Sequence, residues 1–275
     1  FVHDEDGWRL KGHAHEAFYR WLVSWGVFVR TPSDLGFPDD GYILPGLEIV
    51  EHIVPSEGPT GESLFASMGL GGIRGRIQAR RGSLKRRVDR AAELVAGSPG
   101  PWIVWCGLND EQEAMAEALD GECVSVAGQD AHAEKIARLG AFVRGEARVL
   151  LTKPKVAGFG LNLQCCAQIV FLGLGDSYET YYQAIRRCYR FGQTRPVTAH
   201  IVVSEAETGI VRNVRQKEVE ARRMAEGLLE AVRIMEREEV GVTERQREAD
   251  ERETASGAAW VLHRGDSVDV LPALP

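Results

Sequence analysis

Hydrophobic and polar positions follow two different rhythms along this chain. From Trp102 onward, short continuous apolar runs alternate with stretches of helical periodicity. Trp102–Cys106, Cys123–Val126, Val149–Leu151, Gln168–Leu172 and Val197–Val203 read as strands, and Glu111–Leu119, Lys135–Phe142 and Tyr181–Tyr189 as helices. A strand buried on both faces needs no polar alternation, and strands separated by helices of this length predict a parallel sheet covered on both sides. Upstream, Phe18, Trp21, Trp25 and Phe28 step by threes and fours, predicting a helix with one buried aromatic stripe. Ile49–Val54 reads as a further strand. Residues 55–72 are rich in Gly, Pro and Ser and read as a linker. A basic helix follows, its apolar stripe made by Leu84, Val88, Ala91, Ala92 and Val95, and Gly97–Pro101 ends it. Past residue 205, Ala221, Ala225, Leu228, Val232 and Met235 mark one long charged helix with a narrow apolar seam. The segment Trp260–Pro275 changes character again and reads as strand, turn and helix, with Glu253–Ala258 as a hinge before it.

Composition narrows the class. The 275 residues are 44% apolar, ordinary for a globular protein. No apolar stretch reaches the length of a membrane span, and no leader peptide is visible. The five cysteines, at 106, 123, 165, 166 and 188, form no Cys-x-x-Cys pair. That usage predicts a reducing, cytoplasmic setting and no structural zinc. His13 and His15 lack a third ligand nearby, so no metal site is expected. Net charge is −7, but its distribution matters more than its sum. Eight Lys or Arg, including Arg80, Arg81, Arg86 and Arg87, lie between Arg74 and Arg90 against one acid, Asp89. The run reads either as a solvated helix face or as a phosphate-contacting one.

The candidate chemistry clusters between residues 148 and 193. Gln183, Arg187 and Arg190 stand at i, i+4 and i+7, one face of a helix. Two fixed cations and an amide there suit a polyphosphate or, equally, a solvated basic helix end. Gly192, Gln193 and Pro196 stop that helix. Earlier, the strand at Val149–Leu151 opens into a loop with Gly158, Gly160 and Asn162, where glycines let backbone approach a ligand.

In the form Gln-x-x-x-Arg-x-x-Arg-x-Gly-Gln, residues 183–193 resemble the arginine-finger motif of superfamily-two helicases, in particular the Swi/Snf-type double-stranded-DNA translocases. Residues 148–163 resemble helicase motif V, with Lys155 at its basic position and the preceding hydroxyl displaced to Thr152. Trp102–Cys106 stands where motif IV does. Gly128 with Lys135, Leu139 and Phe142 is similar to a Gly…Arg-x-x-x-Ile-x-x-Phe element, Lys135 replacing the usual Arg. Asp176–Glu179 stands where the family carries an Asp-x-Asn-Pro-like turn, a partial match that reads equally as an N-cap at Ser177. Arg30, Asp34 and the Leu44–Pro45 pair resemble the block joining the two motor lobes.

The resemblance covers residues 15–215 and implies an α/β fold: a RecA-like parallel sheet flanked by helices, with an N-terminal helical and linker region and a long charged C-terminal helix. The implied segments are 1–57, the tail of a first lobe and its connection; 58–97, linker and basic helix; 98–204, the second lobe; 205–255, the charged helix; and 256–275, the start of another domain. It implies ATP at Gly158, Gly160, Arg187 and Arg190, with Arg187, Arg190 and Gln183 catalytic. DNA contacts would fall on Thr152, Lys155, Asn162, Lys135, Arg80, Arg81, Arg86 and Arg87. The P-loop and Asp-Glu box that hold phosphates and Mg²⁺ in the family occur nowhere in this sequence. A first motor lobe is therefore an expected partner, with double-stranded DNA, and the fragment alone is expected to be inactive. A silent DNA- or partner-binding lobe is the alternative. Residues 260–275 resemble the lead-in to the catalytic motif of amino-DNA methyltransferases, implying fusion to such a domain, and read equally as an ordinary strand–turn–helix.

Overall fold

The computed structural model describes residues 2–4, 7–9, 11–26, 28–55, 80–157, 161–247, 253–257 and 260–264. They divide into two compact units: Pro38–Glu220, and Phe1–Phe37 with Ala221–Pro275.

The first unit is built on six parallel strands. In chain order these are β3 (Leu47–Val54), β4 (Trp102–Cys106), β5 (Cys123–Val126), β6 (Val149–Thr152), β7 (Gln168–Leu172) and β8 (Val197–Ser204). Their order across the sheet is β3-β8-β7-β4-β6-β5. Every residue of β4 and β6 is buried, as their unbroken apolar runs require. Alternate residues serve opposite layers. On one face Trp102, Val104, Leu151, Val170 and Leu172 pack with Val88, Ala91 and Val95 of α2 (Leu84–Ala96) and Met115 of α3 (Asn109–Ala118). On the other, Ile103, Trp105, Leu150, Ile169 and Phe171 pack with Phe142 of α4 (His132–Val143), Ala184 and Ile185 of α5 (Tyr178–Ile185), and Ile210, Val211 and Val214 at the start of α6 (Thr208–Arg247). The expected parallel sheet flanked by helices, and the long charged C-terminal helix, are both present. The basic helix is broken: Arg80, Arg81 and Gly82 are helical, Ser83 is a turn and α2 begins at Leu84; Arg74 and Arg76 lie outside the described residues.

In the second unit, β1 (Val2–Asp4) pairs antiparallel with β2 (Gly7–Arg9), and α1 covers His15–Val23. The aromatic stripe of α1 is not buried as expected: Trp21 and Trp25 are more than half exposed, their rings packed edge to face at 5.3 Å. The rings shelter one another along the helix rather than entering a core. Thr31 and Asp34 close a capping box before a 3-10 turn, Asp34 accepting from the Arg30 and Thr31 amides. The seam of α6 is buried at Leu228 and half-buried at Ala225 and Val232. The stretch expected to be a hinge is a strand, β9 (Glu253–Gly257), paired antiparallel with β10 (Trp260–Arg264). Residues 265–275 lie outside the described residues.

β3 is held to β8 by more than its ladder. His52 and His200 share a hydrogen bond of 2.9 Å between Nε2 and Nδ1, Arg90 of α2 reaches His52 Nδ1 at 3.2 Å, and Trp102 stacks on His200. Burial, then the neighbouring His52 and Arg90, pushes the His200 pKa down to about 4. Burial and Arg90 lower His52 as well. Both imidazoles are thus kept neutral by the fold, so the unfolded chain binds more protons on acidification. Stability supplied by the pair is complete above the unfolded histidine value of about 6.5 and is lost as pH falls toward about 4. Urea unfolding at pH 7 and pH 5 should show a fall in stability for the native chain, and a smaller fall for His200→Gln.

Candidate functional site

In an open parallel sheet, ligands bind beyond the carboxyl ends of the strands where successive connections leave on opposite faces. Here that switch point falls between β4 and β7: the chain leaves β4 for α3 on one face and leaves β7 for α5 on the other. A cavity of about 450 Å³ opens there, with Trp105, Phe171 and Tyr181 in its wall, Lys153 and Lys155 from the loop after β6, and Ser177 and Thr180 at the start of α5. Ser177 caps α5, its hydroxyl accepting from the Thr180 amide at 3.2 Å.

Beside this cavity lies a buried ionic cluster. Glu111, fully buried at the first turn of α3, accepts from Arg80 Nη2 at 2.7 Å, from Arg87 Nη1 at 2.8 Å, and from the Gly107 and Leu108 amides at 2.8 and 3.0 Å. Glu207, after β8, lies 3.4 Å from Arg80 Nε and 3.6 Å from Arg87 Nε. Arg80 also donates to the Leu172 carbonyl at the end of β7 at 3.2 Å. Its guanidinium passes between two glycines. A Cβ on Gly107 would lie 2.6 Å from Arg80 Nη2, and one on Gly173 (φ +79°) would overlap the same group. Only glycine permits that approach, and at Gly173 that backbone. This geometry corrects the expectation that Arg80 and Arg87 face DNA phosphates: both are buried on carboxylates. Arg81 and Arg86 are exposed, Arg81 on Asp110 at 3.1 Å and Arg86 on the Pro55 carbonyl at 3.2 Å.

Thr152 is corrected too. It has no exposed surface, and its hydroxyl donates to the Val126 carbonyl at 2.9 Å, joining the ends of β6 and β5. The side chains left at that strand end are Lys155, exposed, and Lys153, which reaches Asn109 Oδ1. Sequence reasoning missed Lys153, although a cation directly after a buried strand was the signal. Lys135 turns back to donate to the Gly128 carbonyl at 2.6 Å. Gly158 and Gly160 lie outside the described residues.

The arginine segment departs from a single helix face. α5 ends at Ile185, and residues 186–192 continue as turns. The Leu163 amide takes the Arg187 carbonyl at 3.0 Å. The buried Gln193 carboxamide donates to the carbonyls of Gln164, Cys166 and Cys188 and accepts from the Thr194 and Arg195 amides, so it replaces the helix that would have continued. Gln193 was read only as a stop signal and is the organiser of the turn. Gln183 stays on α5, exposed. Arg187 is 8% exposed, and its Nε has no hydrogen-bond partner among the described residues. Burial, then the like charge of Arg190, holds its pKa below the ordinary arginine value. Arg190 donates to Asn162 Oδ1, which ties residue 162 to the arginine turn. Among the described residues no carboxylate pairs with either arginine. Two neighbouring cations with no counter-charge among the described residues, one of them largely desolvated, have the chemistry to accept an anion.

Residues 87–192 match the family model described as the helicase conserved C-terminal domain. The matched stretch takes in the arginine turn and most of the cavity lining, and Arg80 precedes it. No curated protein matches the chain. Among solved structures, the C-terminal part of the Fun30 ATPase domain matches with 16% identity and a TM-score of 0.42, over 46% of this chain and 44% of that one. The chain therefore spans less than half the length of that structure. The C-terminal domain of the DEAD-box protein Dbp5 matches with 17% identity and a TM-score of 0.43, over 63% of this chain and 84% of that one. Among the described residues no helix is long and apolar enough to cross a membrane, and no group of three His, Cys, Asp or Glu is placed to hold a metal ion.

The two classes of arginine, buried on carboxylates and exposed, should separate by stability. Glu111→Gln or Arg87→Gln breaks a buried pair and strands its partners, a loss of about 3–5 kcal/mol. Arg81→Gln and Arg86→Gln, both on the surface, should leave the urea midpoint unchanged.

Proposed function

We propose that this chain is the second-lobe half of an ATP-dependent double-stranded-DNA translocase of the Swi/Snf type. The observation that carries the reading is the Arg187–Arg190 pair, Arg187 buried and Arg190 half-buried, with no carboxylate on either among the described residues. A nucleotide polyphosphate is the anion that such a pair fits. Bound ATP would supply a γ-phosphoryl group whose charge grows on its outer oxygens as it is transferred. Arg187 and Arg190 are pre-positioned cations for that charge. Backbone and Gln193 hydrogen bonds fix the turn that carries them, and Asn162 holds the Arg190 guanidinium, which limits the reorganisation left for the reaction itself. Gln183 stands exposed on α5, one turn before Arg187, and would orient nucleotide or water. Asn162 ties the arginine turn to the loop after β6, so a shift at the nucleotide reaches the cavity rim directly.

Lys153 and Lys155 at that rim are the DNA contacts of the reading, with Arg86 of α2 and Arg81 of the helical residues before it as exposed cations. Such contacts hold the duplex backbone without reading its sequence. The ligands of Mg²⁺ and the P-loop fall to a first lobe, which is the required partner. The resemblance of the tail to a methyltransferase lead-in supports a fused modifying domain; the part of it past Arg264 lies outside the described residues.

In a polypeptide that joins this lobe to its P-loop lobe, Arg187→Ala or Arg190→Ala should lower kcat about 10²-fold or more while DNA affinity changes little. A loss of DNA affinity with unchanged turnover would move the arginines to the DNA backbone. Replacing Lys153 and Lys155 together by Gln should reduce the slope of log affinity against log salt by about 0.9 per contact removed. An unchanged slope would take the DNA path away from this cavity.

A further inference from the structure

Tyr42 and Phe191 stack with ring centroids 4.8 Å apart and planes inclined by 30°. Unlike the stacked rings of the core, both are on the surface, Tyr42 51% and Phe191 56% exposed. Single exposed aromatics are ordinary. A paired one, set beside uncompensated cations, is not. Phe191 follows Arg190 directly in the turn. The two are gripped by one short segment: Asn162 Oδ1 accepts from Arg190, and Gln164 Nε2 donates to the Phe191 carbonyl. Tyr42 comes from the loop that leads into β3, a separate part of the chain brought onto the arginine turn.

We propose that the Tyr42–Phe191 pair is the platform on which the base of the bound nucleotide stacks while its phosphates lie on Arg187 and Arg190. The inference rests on the reading of those arginines as the polyphosphate seat. A base offers a flat π-face, and an aromatic pair exposed by half offers its counterpart. Charge complementarity fixes the orientation, since the anionic end of the ligand is drawn to the arginines and its uncharged end is left at the rings. A platform of this kind reads the face of a base and not its edge. It therefore favours purines for their larger area and does not separate ATP from GTP.

The test uses ATP, GTP and inorganic tripolyphosphate as probes, with the purified chain in equilibrium dialysis. The platform predicts that ATP and GTP bind alike, each about tenfold or more tighter than tripolyphosphate, the advantage that stacking one base confers. Phe191→Leu should erase that advantage and leave tripolyphosphate binding unchanged. Phe191→Tyr, which keeps the ring, should preserve it, and thermal melting of both variants shows that the fold is retained. Arg190→Gln should weaken all three probes equally. Equal binding of ATP and tripolyphosphate to the native chain, or an ATP advantage that survives Phe191→Leu, overturns the platform and leaves the arginine seat standing. If none of the probes binds, the arginine reading falls and the platform with it.

Discussion

Four buried charges hold the working end of the sheet. Arg80 and Arg87 on one side and Glu111 and Glu207 on the other come from the approach to α2, from α2 itself, from α3 and from the corner after β8. Each charge removed from water is costly unless it is paired and hydrogen-bonded, so the four stand or fall together. Glu111 also fixes the Gly107 and Leu108 amides, and Arg80 fixes the last carbonyl of β7. The two strand ends that bound the cavity are thereby set at a fixed separation by charge. Apolar packing alone, which is non-directional, would leave that separation less defined.

The contrast with Arg187 and Arg190 is one of electrostatic completion. In the cluster, two cations meet two carboxylates and the local sum is zero. At the arginine turn, two cations meet an amide oxygen and each other. The same residue type is charge-paired in one place and has no carboxylate among the described residues in the other, and burial does not distinguish them: Arg80 and Arg187 are almost equally covered. What distinguishes them is the presence of a carboxylate.

That contrast explains what the sequence revealed and what it hid. The parallel sheet was legible because buried central strands write continuous apolar runs, and β4, β6 and β7 do so. The helices between them were found, with ends displaced by a few residues, because periodicity is strongest in the middle of an element. The side-chain roles were less legible. Arg80 and Arg87 look like any basic run, since Glu111 and Glu207 that bury them are distant in sequence. Thr152 looked free because its acceptor, the Val126 carbonyl, is on another strand. Arg187 left the helix face on account of Gln193 and Leu163, whose hydrogen bonds are non-local. The exposed rings of α1 had the right spacing for a core, but spacing does not say what lies opposite.

The edge strand β3 has a single neighbour, β8, and the residues it must meet are far away: His52 and His200 are 148 positions apart. During synthesis at about 5–20 residues per second, β3 waits roughly seven to thirty seconds for its partner. Through that interval it is an apolar strand with both edges open, a template for pairing with other chains. Glu48 and Glu51 interrupt it at positions that remain on the surface of the finished sheet. In the folded protein Glu51 pairs with Arg215 at 2.9 Å, an exposed pair that adds little stability; in the nascent chain both charges keep the first strand of the sheet soluble until the last is made.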